Sequence, residues 1–237
     1  MIEIPYGAQR WDKYGYNSDI QSSEECITPQ GGAYVFPTVL GTLTAVSDSA
    51  NDAAAGTGAR TVTVYYTDDS YVAKSATAAL DGTTPVTVAT DFFRQNNARV
   101  ATVGSGGKAA GNISFKVGAT VYGYIAAGHT RQRQFVYTVP AGKRLKLKQI
   151  NIYNVNTAAN KRLIATLRAT WDEKSMTRLT AGIHFIPYGE YVLSDNPVSI
   201  VYVTPKYFPE KVDIVAVGIS NGTSSPSIMA AGWLEDM

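Results

Sequence analysis

Residues 56–94, GTGARTVTVYYTDDSYVAKSATAALDGTTPVTVATDFFR, decide the fold. From residue 60 to 66, Val62, Val64 and Tyr66 fall on one side and Thr61, Thr63 and Tyr65 on the other. Alternation with period two marks a strand with one buried face. A second strand is expected over 71–80 and a third over 85–90, where Val86, Val88 and Thr90 share a parity. Between them stands Asp81-Gly82-Thr83-Thr84. Asp-Gly between alternating runs predicts a hairpin, because glycine takes positive φ without a Cβ clash.

Outward from this stretch the pattern repeats. Short strand-like runs occur at 33–38, 40–46, 99–103, 112–117 and 120–125. The segment SDSANDAAAGTGA between two of them is too rich in glycine and small polar residues for a stable helix. Gly104-Ser105-Gly106-Gly107-Lys108 is a glycine turn without the spacing of a phosphate loop. A further module begins near Arg131. In its strand at 144–154, Leu145 and Leu147 share one parity and Ile150 and Ile152 the other, so a β-bulge at Lys148-Gln149 would bring all four to one face. Residues 161–171 set Leu163, Ala165, Leu167, Ala169 and Trp171 on one side. Runs 198–204 and 211–220 are apolar at both parities, as central strands covered on both sides are. A last strand closes the chain at 227–237, and 173–179 has room for one short helix.

Many short strands with Gly and Pro turns predict an all-β chain of β-sandwich or jelly-roll kind. Three parts are expected: an extended amino-terminal arm over 1–39, a first sandwich over 40–130, and a second, jelly-roll-like one over 131–237, which could be continuous with the first. The arm is rich in Gly, Pro and aromatics without sustained periodicity. Trp11, Tyr14 and Tyr16 are its candidate anchors, on its own domain or on a neighbouring subunit.

With 237 residues, folding can bury roughly 70–75% of the surface of the extended chain. Only 17% of residues are charged and fifteen are tyrosine, a composition suited to strands and to interfaces. The single Cys26 permits no intrachain disulfide. A secretory signal and an apolar run long enough for a membrane helix are both lacking in the sequence. His129 and His184 stand fifty-five residues apart without ligand spacing, and Asp68-Asp69 and Glu24-Glu25 read as turn carboxylates. No nucleophile elbow appears. The reading is of a protein without catalytic residues, metal or cofactor.

Charge is uneven although the net is only +2: residues 131–178 hold eleven bases and two acids. Arg131, Arg133, Lys143, Arg144, Lys146, Lys148, Lys161, Arg162 and Arg168 form this basic island, and strand pairing could bring several to one face. Nucleic acid is not the expected partner, because stacking aromatics are sparse there and acidic segments flank the island. Arg144, Lys146, Arg162 and Arg168 are the candidates for a charged docking face.

The segments GYNSDI (15–20), GGAYVFPT (31–38), GTLTAVSDSANDAAAGTGARTVTVYY (41–66), LDGTTPVTVATDFFR (80–94), ATVGSGGKAAGNI (101–113) and TVPAGKR (138–144) resemble a family of virion structural proteins of tailed bacteriophages, common among phages of aquatic bacteria. Relatives are richer in acids where this chain has Ala73, Ala76, Ala78 and Ala79. The resemblance implies a non-enzymatic subunit present in many copies, with copies of itself and capsid, neck or tail proteins as partners. It would assemble in the host cytoplasm and reside in the virion, decorating or cementing capsid, neck or tail. The alternative is a receptor or glycan binder at a fibre or spike tip, with Tyr188, Tyr191 and Asp195 as the loop cluster; a hydrolase would need convergent carboxylates in a cleft.

Overall fold

The computed structural model describes residues 3–155, 161–180, 184–194 and 196–237. Throughout them the chain is all β, without a helix. It opens with β1 (Gln9–Tyr16) and β2 (Glu25–Cys26). Seven strands follow: β3 (Gly41–Ser47), β4 (Ala59–Thr67), β5 (Ala73–Ala79), β6 (Val86–Phe92), β7 (Arg94–Val103), β8 (Ile113–Val117) and β9 (Thr120–Ile125). The remainder holds β10 (Val136–Thr138), β11 (Lys143–Tyr153), β12 (Leu163–Ala169), β13 (Trp171–Asp172), β14 (Thr177–Arg178), β15 (Ile186–Leu193), β16 (Val198–Phe208), β17 (Asp213–Ser220) and β18 (Ser227–Asp236). Two compact units result: unit 1 from the two ends of the chain, up to Tyr34 and from Phe135, and unit 2 from Val35–Gln134.

Unit 1 is a jelly roll. Its sheets run β1-β18-β11-β16 and β10-β17-β12-β15, with β2 also on β17. β2 and β10 are two halves of one strand: β2 pairs with Val217 and Gly218, β10 with Asp213 to Val215. Between them Ala216 serves both halves, its N–H donating to Phe135 O and its C=O accepting from Ile27 N. Phe135 N in turn donates to Ile27 O at 3.1 Å, so the chain leaves for unit 2 and returns at one point of one strand. Counted this way, the first strand pairs the last, the second the seventh, the third the sixth and the fourth the fifth, all antiparallel. That is a long hairpin wrapped into two facing sheets. Both sheets turn apolar side chains to one core, Leu145, Leu147, Ile150, Ile152 and Ile228 from one and Leu163, Leu167, Ile214 and Ala216 from the other.

The bulge falls where the parity break in β11 predicts it, with a register shift between Leu147 and Gln149 against both neighbours. Leu145, Leu147, Ile150 and Ile152 are consequently all buried.

Unit 2 has sheets β6-β3-β8-β9 and β5-β4-β7 around a core of its own, including Leu43, Val62, Val64, Phe92, Phe115 and Ile125. Its loops meet on Asp52, which is fully buried. One carboxylate oxygen accepts from Ala59 N (2.6 Å) and Ala110 N (2.8 Å), the other from Ser47 Oγ (2.6 Å) and Gly111 N (2.8 Å). A Cβ at Gly58 would come within 2.1 Å of that carboxylate, which is why the loop needs glycine there.

Several expectations are corrected. Residues 1–39 are not one free arm: Gln9–Tyr16 pairs residue for residue with Leu234 to Ser227, and its periodicity was hidden because its inward positions are Trp11, Lys13 and Gly15. Residues 33–38 form no strand. Since unit 1 needs strands from both ends of the chain, the divisions at 39 and 130 give way to ones near 34 and 134. Asp81-Gly82 is a turn with Gly82 at φ +57°, but it joins β5 in one sheet to β6 in the other and makes no hairpin. The hairpin lies one turn earlier, where β4 pairs β5. In place of a helix at 173–179, β13 pairs β14 around a turn in which the Asp172 carboxylate accepts from Lys174 N and Ser175 Oγ. The run 198–204 belongs to an edge strand, not a central one.

Candidate docking face

The outward side of the sheet β1-β18-β11-β16 follows from its register. Because Leu145, Ile150, Ile228, Ala230 and Leu234 turn inward, their neighbours turn out. Tyr14 stands opposite Met229, and Met229 opposite Asn151; Tyr16 stands opposite Ser227, and Ser227 opposite Tyr153. Gln149 stands opposite Val201 on β16. The exposed apolar side chains here are Tyr14 (38%), Met229 (42%), Tyr153 (54%), Val201 (60%) and Val203 (94%). A strand apolar on both faces thus lies at a sheet edge, with two valines in solvent and one side without a strand partner among the described residues.

The charges at one end of this face are engaged within the chain. Arg144 Nε donates to Glu235 Oε2 at 2.8 Å, and Trp233 Nε1 to Glu235 Oε1 at 2.6 Å. The hydrogen bond from Trp233, with Arg144 beside it, holds the Glu235 carboxyl below the usual range. Lys146 sits 4.9 Å over the Tyr207 ring and Lys143 pairs with Asp236.

Of the residues singled out from the sequence, Tyr14, Tyr16, Arg144 and Lys146 lie on this face. Trp11 does not: it is buried in unit 1, edge-on to Tyr137 at 5.2 Å. Nor do Arg162 and Arg168, which belong with β12 and turn out from the opposite sheet. Arg168 binds Glu24 through both carboxylate oxygens, at 2.7 and 2.5 Å. Arg162 edges an open groove of about 460 Å³ floored by Ile164, Val192 and Ile219. The basic island therefore forms no single face, because β11 and β12 are consecutive in sequence but lie in different sheets.

No family model matches the chain. No curated protein matches it either. Among solved structures, infectious bursal disease virus of the Gx strain is similar at 8% identity and a TM-score of 0.26, over 94% of this chain and 71% of that one. The Gt strain of that virus is similar at 8% identity and a TM-score of 0.23, over 97% and 73%. Likenesses this loose carry no inference about this chain.

The cluster at Tyr188 and Tyr191 is used internally. Tyr188 donates to Trp171 O at 2.6 Å, and the Tyr191 and Tyr202 hydroxyls meet at 3.0 Å; burial pushes the Tyr188 and Tyr202 phenols above their usual range. Asp195 lies outside the described residues. Of the paired acids, Glu24 binds Arg168, Glu25 accepts from Gly32 N, and Asp68 shares Lys74 with Asp91, at 2.8 and 2.6 Å. Among the described residues no group of His, Cys, Asp or Glu is placed to hold a metal ion, and no helix is long and apolar enough to cross a membrane.

Sequence reasoning missed Tyr153, Val201, Val203 and Met229. For the two valines the signal was the doubled apolar parity of 198–204, which reads equally as a central strand and as an edge strand awaiting cover; Tyr153 and Met229 carried no such signal.

Proposed function

We propose that this chain is a non-enzymatic structural subunit of a virus particle, of the tailed-phage virion kind its sequence resembles. It associates with copies of itself through the outer face of β1-β18-β11-β16, continuing across the edge of β16. The observation that carries this is the edge strand β16, apolar on both faces, with Val201 and Val203 in solvent. Soluble edge strands are ordinarily blunted by charge, proline or irregular pairing; β16 carries these toward its carboxyl end, at Pro205 and Lys206, and the apolar segment before them is a template for another chain. Around it stand Tyr, Met and Trp, the residues enriched at the buried centre of interfaces, while the charges at the rim are already paired. A stable contact needs about 800 Å² per partner, an area one sheet face can supply. Attachment to capsid, neck or tail rests on the sequence resemblance.

The test is the mass of the purified protein in solution across a concentration series. The parent chain should run as a defined oligomer, and Val201→Lys with Val203→Lys should run as a monomer of 25.4 kDa with an unchanged melting temperature. A parent chain that stays monomeric at high concentration overturns self-association through this face.

A further inference from the structure

Two members of the basic island, Arg131 and Arg133, fall in unit 2 and take no part in the docking face. They lie on residues 129–134, which run beside β7: Val100 N donates to Thr130 O at 2.8 Å and Gln132 N to Ala98 O at 2.9 Å. Side chains alternate along this extended segment. Gln132 and Gln134 are buried and joined to each other and to Gln95, which leaves His129, Arg131 and Arg133 on the other side.

Arg99 of β7 stands directly opposite Arg131. Like charges so placed repel across a sheet, yet among the described residues neither arginine has an ion pair, and Arg99 lies over the Tyr65 ring, 5.8 Å from its centroid. Lys108 joins them. Ala109 N donates to His129 O and Gly128 N to Ala109 O, fixing the glycine turn beside His129. Between turn and segment opens a cleft of about 480 Å³ lined by Thr57, Gly58, Gly106, Lys108, Ala127 and Gly128. That volume lies in the range of small-molecule sites.

We propose that unit 2 carries a binding site for an acidic glycan, whose carboxylate or sulfate groups meet Arg99, Arg131 and Lys108 while one ring seats in the cleft. Guanidinium pairs recognise such anions through paired N–H donors. The cleft walls are small, mostly alanine and glycine with Thr57 and Lys108 as the polar groups, and leave room for the apolar face of a sugar ring. They offer no aromatic platform of the kind on which single-stranded nucleic acid stacks. His129 lies beside the same charges: burial, and then Arg133 and Lys108, hold its imidazole below its ordinary pKa. The inference does not depend on self-association.

The experiment is calorimetric titration of the full chain with an oligouronate, a sulfated oligosaccharide, a neutral oligosaccharide of equal length and duplex DNA. The two acidic glycans distinguish carboxylate from sulfate recognition. Binding should be confined to one or both, weaken with salt, and fall about tenfold for each of Arg99→Ser and Arg131→Ser. Both arginines are exposed, so melting temperature should hold. With only two histidines in the chain, proton resonances give a second readout: the His129 ring should titrate at higher pH once the anion is bound. Equal binding of the neutral sugar, tighter binding of DNA, no binding at all, or full affinity in the double arginine variant would each overturn the proposal.

Discussion

Two buried ionisable groups show how differently a β-sandwich can accommodate charge. Asp52 is fully buried and accepts four hydrogen bonds, so it knits the loops of unit 2. Lys13 lies on the inward parity of β1, 6% exposed, and burial lowers its amine to about 7, with Cys26 acting weakly the other way. In the unfolded chain a lysine titrates near 10.4. Between about pH 7 and 10.4 the unfolded chain therefore holds a proton that the folded one has released, and stability rises with pH. Below about 7 both forms are protonated and the burial penalty is complete. The upper end of the window is cut by Cys26, whose thiol burial pushes up to about 12: above about pH 8.5 the unfolded thiol ionises first, which cancels the slope from Lys13, so stability levels off there and falls only above about 10.4. Denaturant melts at pH 6, 7 and 8.5 should show stability rising toward the last by about 1 kcal/mol. Lys13→Met should remove the rise and be the more stable chain at pH 6. A parent profile flat from pH 6 to 8.5 would show that Lys13 keeps its charge on folding.

Strands were legible where one parity was apolar and illegible where it was not. β4 and β12 announce themselves through Val62, Val64 and Tyr66 and through Leu163, Ala165 and Leu167, all buried. β1 hides because its inward set is Trp-Lys-Gly, with Gly15 kept small by a backbone approach: a Cβ there would meet Ile27 O at 2.7 Å. β16 misleads because the apolar pattern reports that a face wants cover, not whether this chain supplies it. Pairing partners are not written in periodicity at all, so the basic residues of β11 and β12 read as one surface and fold as two. The β11 bulge is the opposite case, legible because a parity slip inside one apolar run has a single cheap remedy. Deleting Lys148 tests it. Without the extra residue, either Ile150 and Ile152 or Leu145 and Leu147 must turn outward. Exposing two such side chains costs about 3–6 kcal/mol, so the deleted chain should lose its cooperative melt, whereas Lys148→Ala, which keeps the residue count, should stay within about 0.5 kcal/mol of the parent.

At the scale of the molecule, the organising fact is an insertion within a single strand. Ile27 and Phe135 are more than a hundred residues apart yet share a backbone hydrogen bond, and Ala216 bonds to both. Unit 2 therefore interrupts a jelly-roll strand without breaking its ladder, and each unit draws its buried core wholly from its own residues. Such an arrangement puts few demands on the inserted segment beyond closely spaced ends, since insertion is tolerated where little backbone bonding is disturbed. It also lets the cohesive face of unit 1 and the cationic strip of unit 2 vary independently. Replacing residues 35–134 by a short Gly-Ser link should leave a chain that melts cooperatively with an all-β circular dichroism spectrum. The shortened chain should form the same oligomer as the parent and lose acidic-glycan binding. If it folds but is monomeric, cohesion resides in unit 2 and the outer face of β1-β18-β11-β16 is not the interface. If it fails to fold while residues 35–134 alone also fail, the two cores are not autonomous and the insertion is structural for both.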